Sequence, residues 1–266
     1  MVTRTARLPA TLQSFVLHRD DWSESSLILD VFTREQGRLA VAAKGVKRPY
    51  SQLRSVLLPF QRLHITLARG RALADDAAPP EVQTLRAAEW AGGAAMLTGA
   101  ALFSGFHCNE LLMKLLARHD PHPNLFDAYA QTLPLLAERD DAVVQAALRA
   151  FELVLLKEVG VLPDLSLVTL TQQAVRVGAR YALLAETGVG DALGGGADLT
   201  GAVLTGLQAA LQHGSLPALQ HACGASLPEL KMLLRGLIQH QLGSATLRTR
   251  QVMLDLQGLQ TESLTP

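Results

Sequence analysis

The apolar residues of this chain change their spacing once, and that change limits the fold more than any other feature. Up to about residue 86 they come in short runs, "TLQSFVLHRD", "SSLILDVFT", "GRLAVAAKG" and "PFQRLHITLARG", rich in Val, Ile, Leu, Phe and Thr and separated by turn-type residues. None is long enough for a good helix, and each reads as a strand. In the third run Arg38, Ala40, Ala42 and Lys44 share one face and Leu39, Val41 and Ala43 the other. In the fourth, Arg62, His64 and Thr66 oppose Leu63, Ile65 and Leu67. One face is apolar and the other basic. So short a sheet must curl to bury its apolar face, which predicts a five-stranded barrel of OB-fold geometry with "RALADD" or "EVQTLRA" as the fifth strand.

From about Ala87 the period becomes 3.6. "FHCNELLMKLLARHD" carries Leu111, Leu112, Leu115 and Leu116 on one stripe with a Glu110–Lys114 pair, and "NLFDAYAQTLPLLAER" follows, with Asn124 as its expected cap. "DDAVVQAALRAFELVLLKEVG" has acids in its first turn and stops at Gly160. "AVRVGARYALLAETGVG" reads as a hairpin, "DALGGGADLT" as a loop, and "GAVLTGLQAALQHG" and "LPELKMLLRGLIQHQLG" as helices. The fold class is therefore α+β: an N-terminal barrel domain, residues 1–80, and a mainly helical domain, residues 81–266, with an inserted hairpin and loop region at about 165–200.

Charge follows the same division. The 266 residues hold 24 Lys and Arg against 24 Asp and Glu, yet residues 1–71 carry twelve of the cations and only five of the acids. A small basic segment tied to an acidic remainder points to a polyanionic partner, nucleic acid being the obvious one. The loop "KGVKRPY" projects Lys47, Arg48 and Tyr50 beside the basic face. The expected phosphate contacts are Arg38, Lys44, Lys47, Arg48, Arg54 and Arg62, with Tyr50 stacking on a base.

Other function classes find little support. His107, Glu110 and Lys114 interrupt the most apolar region, residues 94–117, so no run is long enough to cross a bilayer. The N-terminal "MVTRTARLPATLQSF" has no apolar signal region, and the expected location is cytoplasmic, with the nucleoid. Two cysteines, Cys108 and Cys223, cannot build a four-cysteine zinc site, and no metal or cofactor is expected. Cys108 beside His107 reads as a structural thiol, and His119 and His122 as parts of a turn. The glycines of "GVGDALGGG", Gly188 to Gly196, lack both a following apolar helix and the Lys-Ser/Thr of a phosphate loop. A nucleotide-dependent enzyme using them is one alternative, and an RNA-binding OB-fold module another.

The run "SFVLHRDDWSESSLILDVFTREQGRLAVAAKGVKRPYSQLRSVLLPF", then "CNELLMKLL…PHPNLFDAY", "FELVLLKEVGVLPDL" and "LGSATLRTRQVM" together resemble the RecO family of bacterial recombination mediators, in that order and at that spacing. The resemblance covers nearly the whole chain and is loosest at residues 170–225. It implies an OB-fold followed by a helical domain, and no enzymatic activity. It also implies binding of single- and double-stranded DNA, annealing of complementary strands, and cooperation with RecR to load RecA on DNA coated by single-stranded DNA-binding protein. Many members carry a four-cysteine zinc module after the "GVLPDL" segment, and here that region has no cysteine. The acidic tail of single-stranded DNA-binding protein, an implied partner, is expected on the helical domain, where Lys114, Arg118, Arg139 and Lys157 lie near leucine-rich faces.

Overall fold

The computed structural model describes residues 11–68, 80–93, 96–192, 194, 197–243, 247–249, 251–252 and 255. The chain divides into two compact units, one formed by residues 1–96 with 116–126 and the other by residues 97–115 with 127–266.

In the first unit, strands β1 (Thr11–Asp21), β2 (Leu27–Thr33) and β3 (Gly37–Ala43) form an antiparallel meander. After a one-turn helix, α1 (Leu53–Val56), β4 (Arg62–Leu67) pairs with β1, and β5 (Val82–Trp90) joins β4 antiparallel and β3 parallel. The five strands close into a barrel in the order β1-β2-β3-β5-β4. Alternate residues fill it: Leu12 and Val16, Leu29 and Val31, Leu39 and Val41, Leu63 and Ile65, with Val46 and Leu57. Of the two expected fifth strands "EVQTLRA" is the one used, while "RALADD" lies outside the described residues. Ala87 is still inside this strand, so the change to helical period comes later than its apolar spacing suggests.

The outer face of β3 differs from expectation. Ala40 and Ala42 are buried on it. Phe15 of β1 and Phe32 of β2, also outward, pack on Phe126 with ring centroids 5.2 and 5.5 Å apart. The outside of this wall is thus covered rather than solvated. Gly37 explains how closely the chain returns: it sits at φ +69°, and a Cβ there would stand 1.9 Å from the Asp120 carbonyl oxygen.

The second unit is built around α4 (Asp141–Glu158), whose Ala147, Phe151, Leu155 and Leu156 are buried and which packs against three helices. These are α2 (Gly99–Leu115), α6 (Leu216–Gly224) and α7 (Leu227–Leu242). Asp140 caps α4, accepting from the Ala142 N–H, and Gly160, at φ +74°, follows its end. The division between units falls within α3 (Pro123–Leu135). It begins at Pro123, so Asn124 lies inside the helix and is not its cap; a proline at the first position lacks only an N–H that has no helical partner there. Strands β6 (Arg180–Leu184) and β7 (Gly188–Asp191) form the expected hairpin, and β8 (Leu199–Thr200) adds to the β6 edge before α5 (Gly201–His213). Tyr181, Ala182, Leu183, Val189 and Leu199 are buried in these three strands, and Leu165 and Val175 are buried in the segment before them.

Candidate nucleic-acid interface

The strand register sorts the expected contact residues into two groups. Arg62 lies opposite Phe15, Phe15 opposite Phe32, and Phe32 opposite Arg38, so Arg38 and Arg62 occupy one end of the barrel wall. Lys44 follows β3 at the other end, six residues and about 20 Å of strand from Arg38. Lys47, Arg48, Tyr50 and Arg54 come next in the chain and belong to that second end.

At the first end the cations are held within the fold. The Arg38 Nε lies 3.1 Å from Asp30, its Nη1 donates to the Leu116 carbonyl at 3.0 Å, and its side chain is 13% exposed. Arg118 approaches the other oxygen of Asp30 at 3.4 Å. Burial raises the Asp30 carboxyl above its ordinary value, with Arg38 and then Arg118 opposing. Arg62 is half-buried and donates to the Gln13 side chain.

The second end is open. The tip of the β1–β2 hairpin and the loop after β3 are tied together: the Lys47 N–H donates to the Ser25 carbonyl, and its ammonium to the Ser23 carbonyl and to Asp21 at 2.6 Å. The Gly45 N–H reaches the Ser26 hydroxyl at 3.4 Å. On this frame Lys44, Arg48 and Arg54 are exposed. Tyr50 is 100% exposed and stands at φ +66°, a conformation costly for a bulky residue.

Two residues at this end escaped the sequence reading. Trp22, at the hairpin tip, is 56% exposed. Its signal was available, a tryptophan among "DWSESS" with no apolar period to bury it. Arg19 was hidden by a β-bulge. Val16 pairs with Val31 but His18 with Asp30, so Leu17 is the extra residue and parity reverses after it. Arg19 then shares a face with inward-pointing Leu29, and Asp21 with Leu27, at the mouth of the barrel. There Arg19, Asp21, Lys47 and Arg54 rim an open cleft of about 480 Å³ floored by Leu27, Val46 and Leu57.

The four cations expected to hold a peptide are not one constellation on the helical unit. Arg118 belongs to the barrel unit, beside Asp30. Lys114 pairs with Glu110 at 3.2 Å, and the Lys157 ammonium donates to the Leu211 carbonyl at 2.7 Å. Arg139 is exposed after α3.

No catalytic constellation is seen among the described residues. His107 faces Glu152 at 3.2 Å, not Cys108, and Glu152 also takes the Arg149 guanidinium at 2.8 Å in the core. Burial, with Glu152 adding to it, pushes the Cys108 thiol far above its ordinary value, and burial lifts Cys223 to about 12. No three metal-ligating side chains cluster among the described residues, and no described helix is long and apolar enough to cross a membrane.

Two family models match the chain: recombination protein O, N terminal, over residues 9–75, and recombination protein O, C terminal, over residues 96–251. Among curated proteins it is similar to the DNA repair protein RecO of Albidiferax ferrireducens, 49% identical over 92% of this chain and 95% of that one. The DNA repair protein RecO of Polaromonas naphthalenivorans is 50% identical over 92% and 96% of the two chains, and that of Acidovorax ebreus 46% over 96% and 99%.

Proposed function

The chain belongs to the RecO family of DNA repair proteins, and from that premise we propose that it is a non-enzymatic mediator that binds single- and double-stranded DNA and anneals complementary strands. With RecR it helps load RecA on DNA coated by single-stranded DNA-binding protein. The observation that carries the DNA-binding part is the barrel end where the exposed Arg19, Lys44, Arg48 and Arg54 gather, on a frame that Lys47 ties together, with two exposed aromatic rings, Trp22 and Tyr50. Cations meet backbone phosphates without regard to sequence, and exposed rings stack on unpaired bases. Arg38 and Arg62, expected as phosphate contacts, make a lesser contribution in this reading because their guanidiniums already have partners in the barrel wall.

Fluorescence anisotropy of a labelled single strand, titrated at several salt concentrations, tests this. About four phosphate contacts give a slope of log affinity against log salt near −3, from roughly −0.7 per contact. A slope near zero would refute the reading, and tighter binding of RNA than DNA at matched salt would favour an RNA-binding module. Co-precipitation of the purified chain with RecR and with single-stranded DNA-binding protein tests the partner assignments separately.

A further inference from the structure

We propose that the cleft at the mouth of the barrel receives one unstacked base of a bound single strand, so that the site reads a nucleotide and not only a charged backbone. The inference rests on the DNA-binding reading above and goes beyond it in naming a pocket and its occupant.

The cleft combines two surfaces that few ligands satisfy together. Its floor, Leu27, Val46 and Leu57, is aliphatic, while Arg19, Lys47 and Arg54 stand on its rim. About 480 Å³ lies within the range of small-ligand pockets, roughly 300–1,000 Å³. A nucleotide suits both surfaces, its base reaching down to Leu27, the half-buried part of the floor, and its phosphates beside the cations. The rim is also poised for use. Arg54 is exposed, and its guanidinium has no hydrogen bond or ion pair among the described residues. The Arg19 guanidinium donates to the Leu57 carbonyl at 3.3 Å.

Asp21 sharpens the choice of occupant. It lies on the rim, 80% exposed at its side chain. Its carboxylate is paired through one oxygen with the Lys47 ammonium at 2.6 Å, and its remaining acceptor capacity can take a hydrogen bond from the exocyclic amino group of a base. Thymine presents no such group, so amino-bearing bases are favoured. A duplex base is held in its stack and by its pair, and extruding it costs a few kcal/mol, so the cleft selects single strands. Trp22 and Tyr50, exposed on the two loops beside the cleft, offer faces for the flanking bases.

The test uses the full chain and a twelve-nucleotide strand of deoxyadenosines carrying one central 2-aminopurine, whose fluorescence is quenched while stacked. Binding is followed independently by anisotropy of an end label. The expected result is a several-fold rise in 2-aminopurine emission on binding, absent with the corresponding duplex. Leu27→Trp, which fills the cleft from a half-buried position, is expected to abolish the rise, and Arg54→Ala, on the exposed rim, to reduce it. If Leu27→Trp fails to fold by circular dichroism, the Arg54→Ala result decides. Binding by anisotropy with no rise, or a rise undiminished in the folded variants, overturns the cleft proposal and leaves the DNA-binding reading standing. Absence of binding by anisotropy overturns both. Loss of the rise on adding a short acidic peptide ending in phenylalanine, with the strand still bound, would assign the cleft to a peptide and overturn the proposal.

Discussion

Three residues carry predictions of their own. Tyr50 is wholly exposed and held at φ +66°, where glycine would be at ease. Tyr50→Ala is expected to cost on the order of 1–3 kcal/mol of single-strand affinity with the salt slope unchanged, because stacking releases no counterions. Tyr50→Gly should weaken binding equally yet raise the unfolding midpoint, which separates the function of the ring from its backbone cost. Equal affinity of all three in anisotropy titrations would remove Tyr50 from the interface. Gly37→Ala acts on the fold instead. Its Cβ would meet the Asp120 carbonyl at 1.9 Å in a left-handed conformation, so a loss of at least about 1–3 kcal/mol is expected in urea unfolding. Glu110 is the third. Burial raises its carboxyl, but the Thr249 N–H and hydroxyl, the Arg248 N–H and the Lys114 ammonium outweigh burial and hold it below its ordinary 4.5. A depressed carboxylate stabilises the fold above its unfolded value and loses that stabilisation as pH falls through the folded one. The stability difference between the natural chain and Glu110→Gln should therefore be full at neutral pH and shrink below roughly pH 4.5. A pH-independent difference would mean that the charge of Glu110 contributes nothing.

At the scale of elements, the loop after β3 decides where the positive charge acts. Lys47 pairs with Asp21 and tethers the neighbouring hairpin, so reversing it would unsettle the frame as well as the charge. Lys44 and Arg48 are exposed and free of that duty, which makes Lys44→Glu with Arg48→Glu the cleaner change. It should weaken binding to every sequence alike and flatten the salt slope by about one unit or more. Unaltered slope and affinity in a folded variant would make the loop a solvated surface only. The same elements show what could be read in advance. Four strands, the hairpin near residue 180 and the helix at residues 141–158 were legible because each owes its form to local spacing and to its own caps. The outward wall of β3 was not. Alternation predicts which residues leave the barrel, but not that Phe126 would cover Phe15 and Phe32 from outside, or that Asp30 would hold Arg38. Those are contacts between residues as much as 111 positions apart, which no local period encodes. Of the site, the exposed loop cations and Tyr50 were visible, whereas Arg19 was hidden because one extra residue in β1 reverses the parity on which the reading depended.

Over the whole molecule the formal charges cancel, so net charge draws no polyanion toward the chain, and only the placement of the cations can. Residues 72–266 carry nineteen acids against twelve cations, a balance that disfavours a polyanion. If DNA binds at the basic end of the barrel, as proposed, this distribution confines it to one patch and makes binding steeply dependent on salt. It also predicts where charge changes have no effect. Lys231 and Arg235 are exposed on α7, as prominent as Lys44 and Arg48 but in the acidic portion of the chain. Lys231→Glu with Arg235→Glu lowers net charge by the same four units as the loop reversal. If net charge governed binding, the two double variants would lose affinity equally. If phosphate contacts at the barrel end govern it, the α7 variant keeps the slope near −3 and the loop variant alone flattens it. Annealing of complementary oligonucleotides, followed by fluorescence transfer between labelled strands over the same salt range, should divide the variants in the same way. Equal loss of slope in both would place the DNA on the helical portion as well and refute the confinement to one patch.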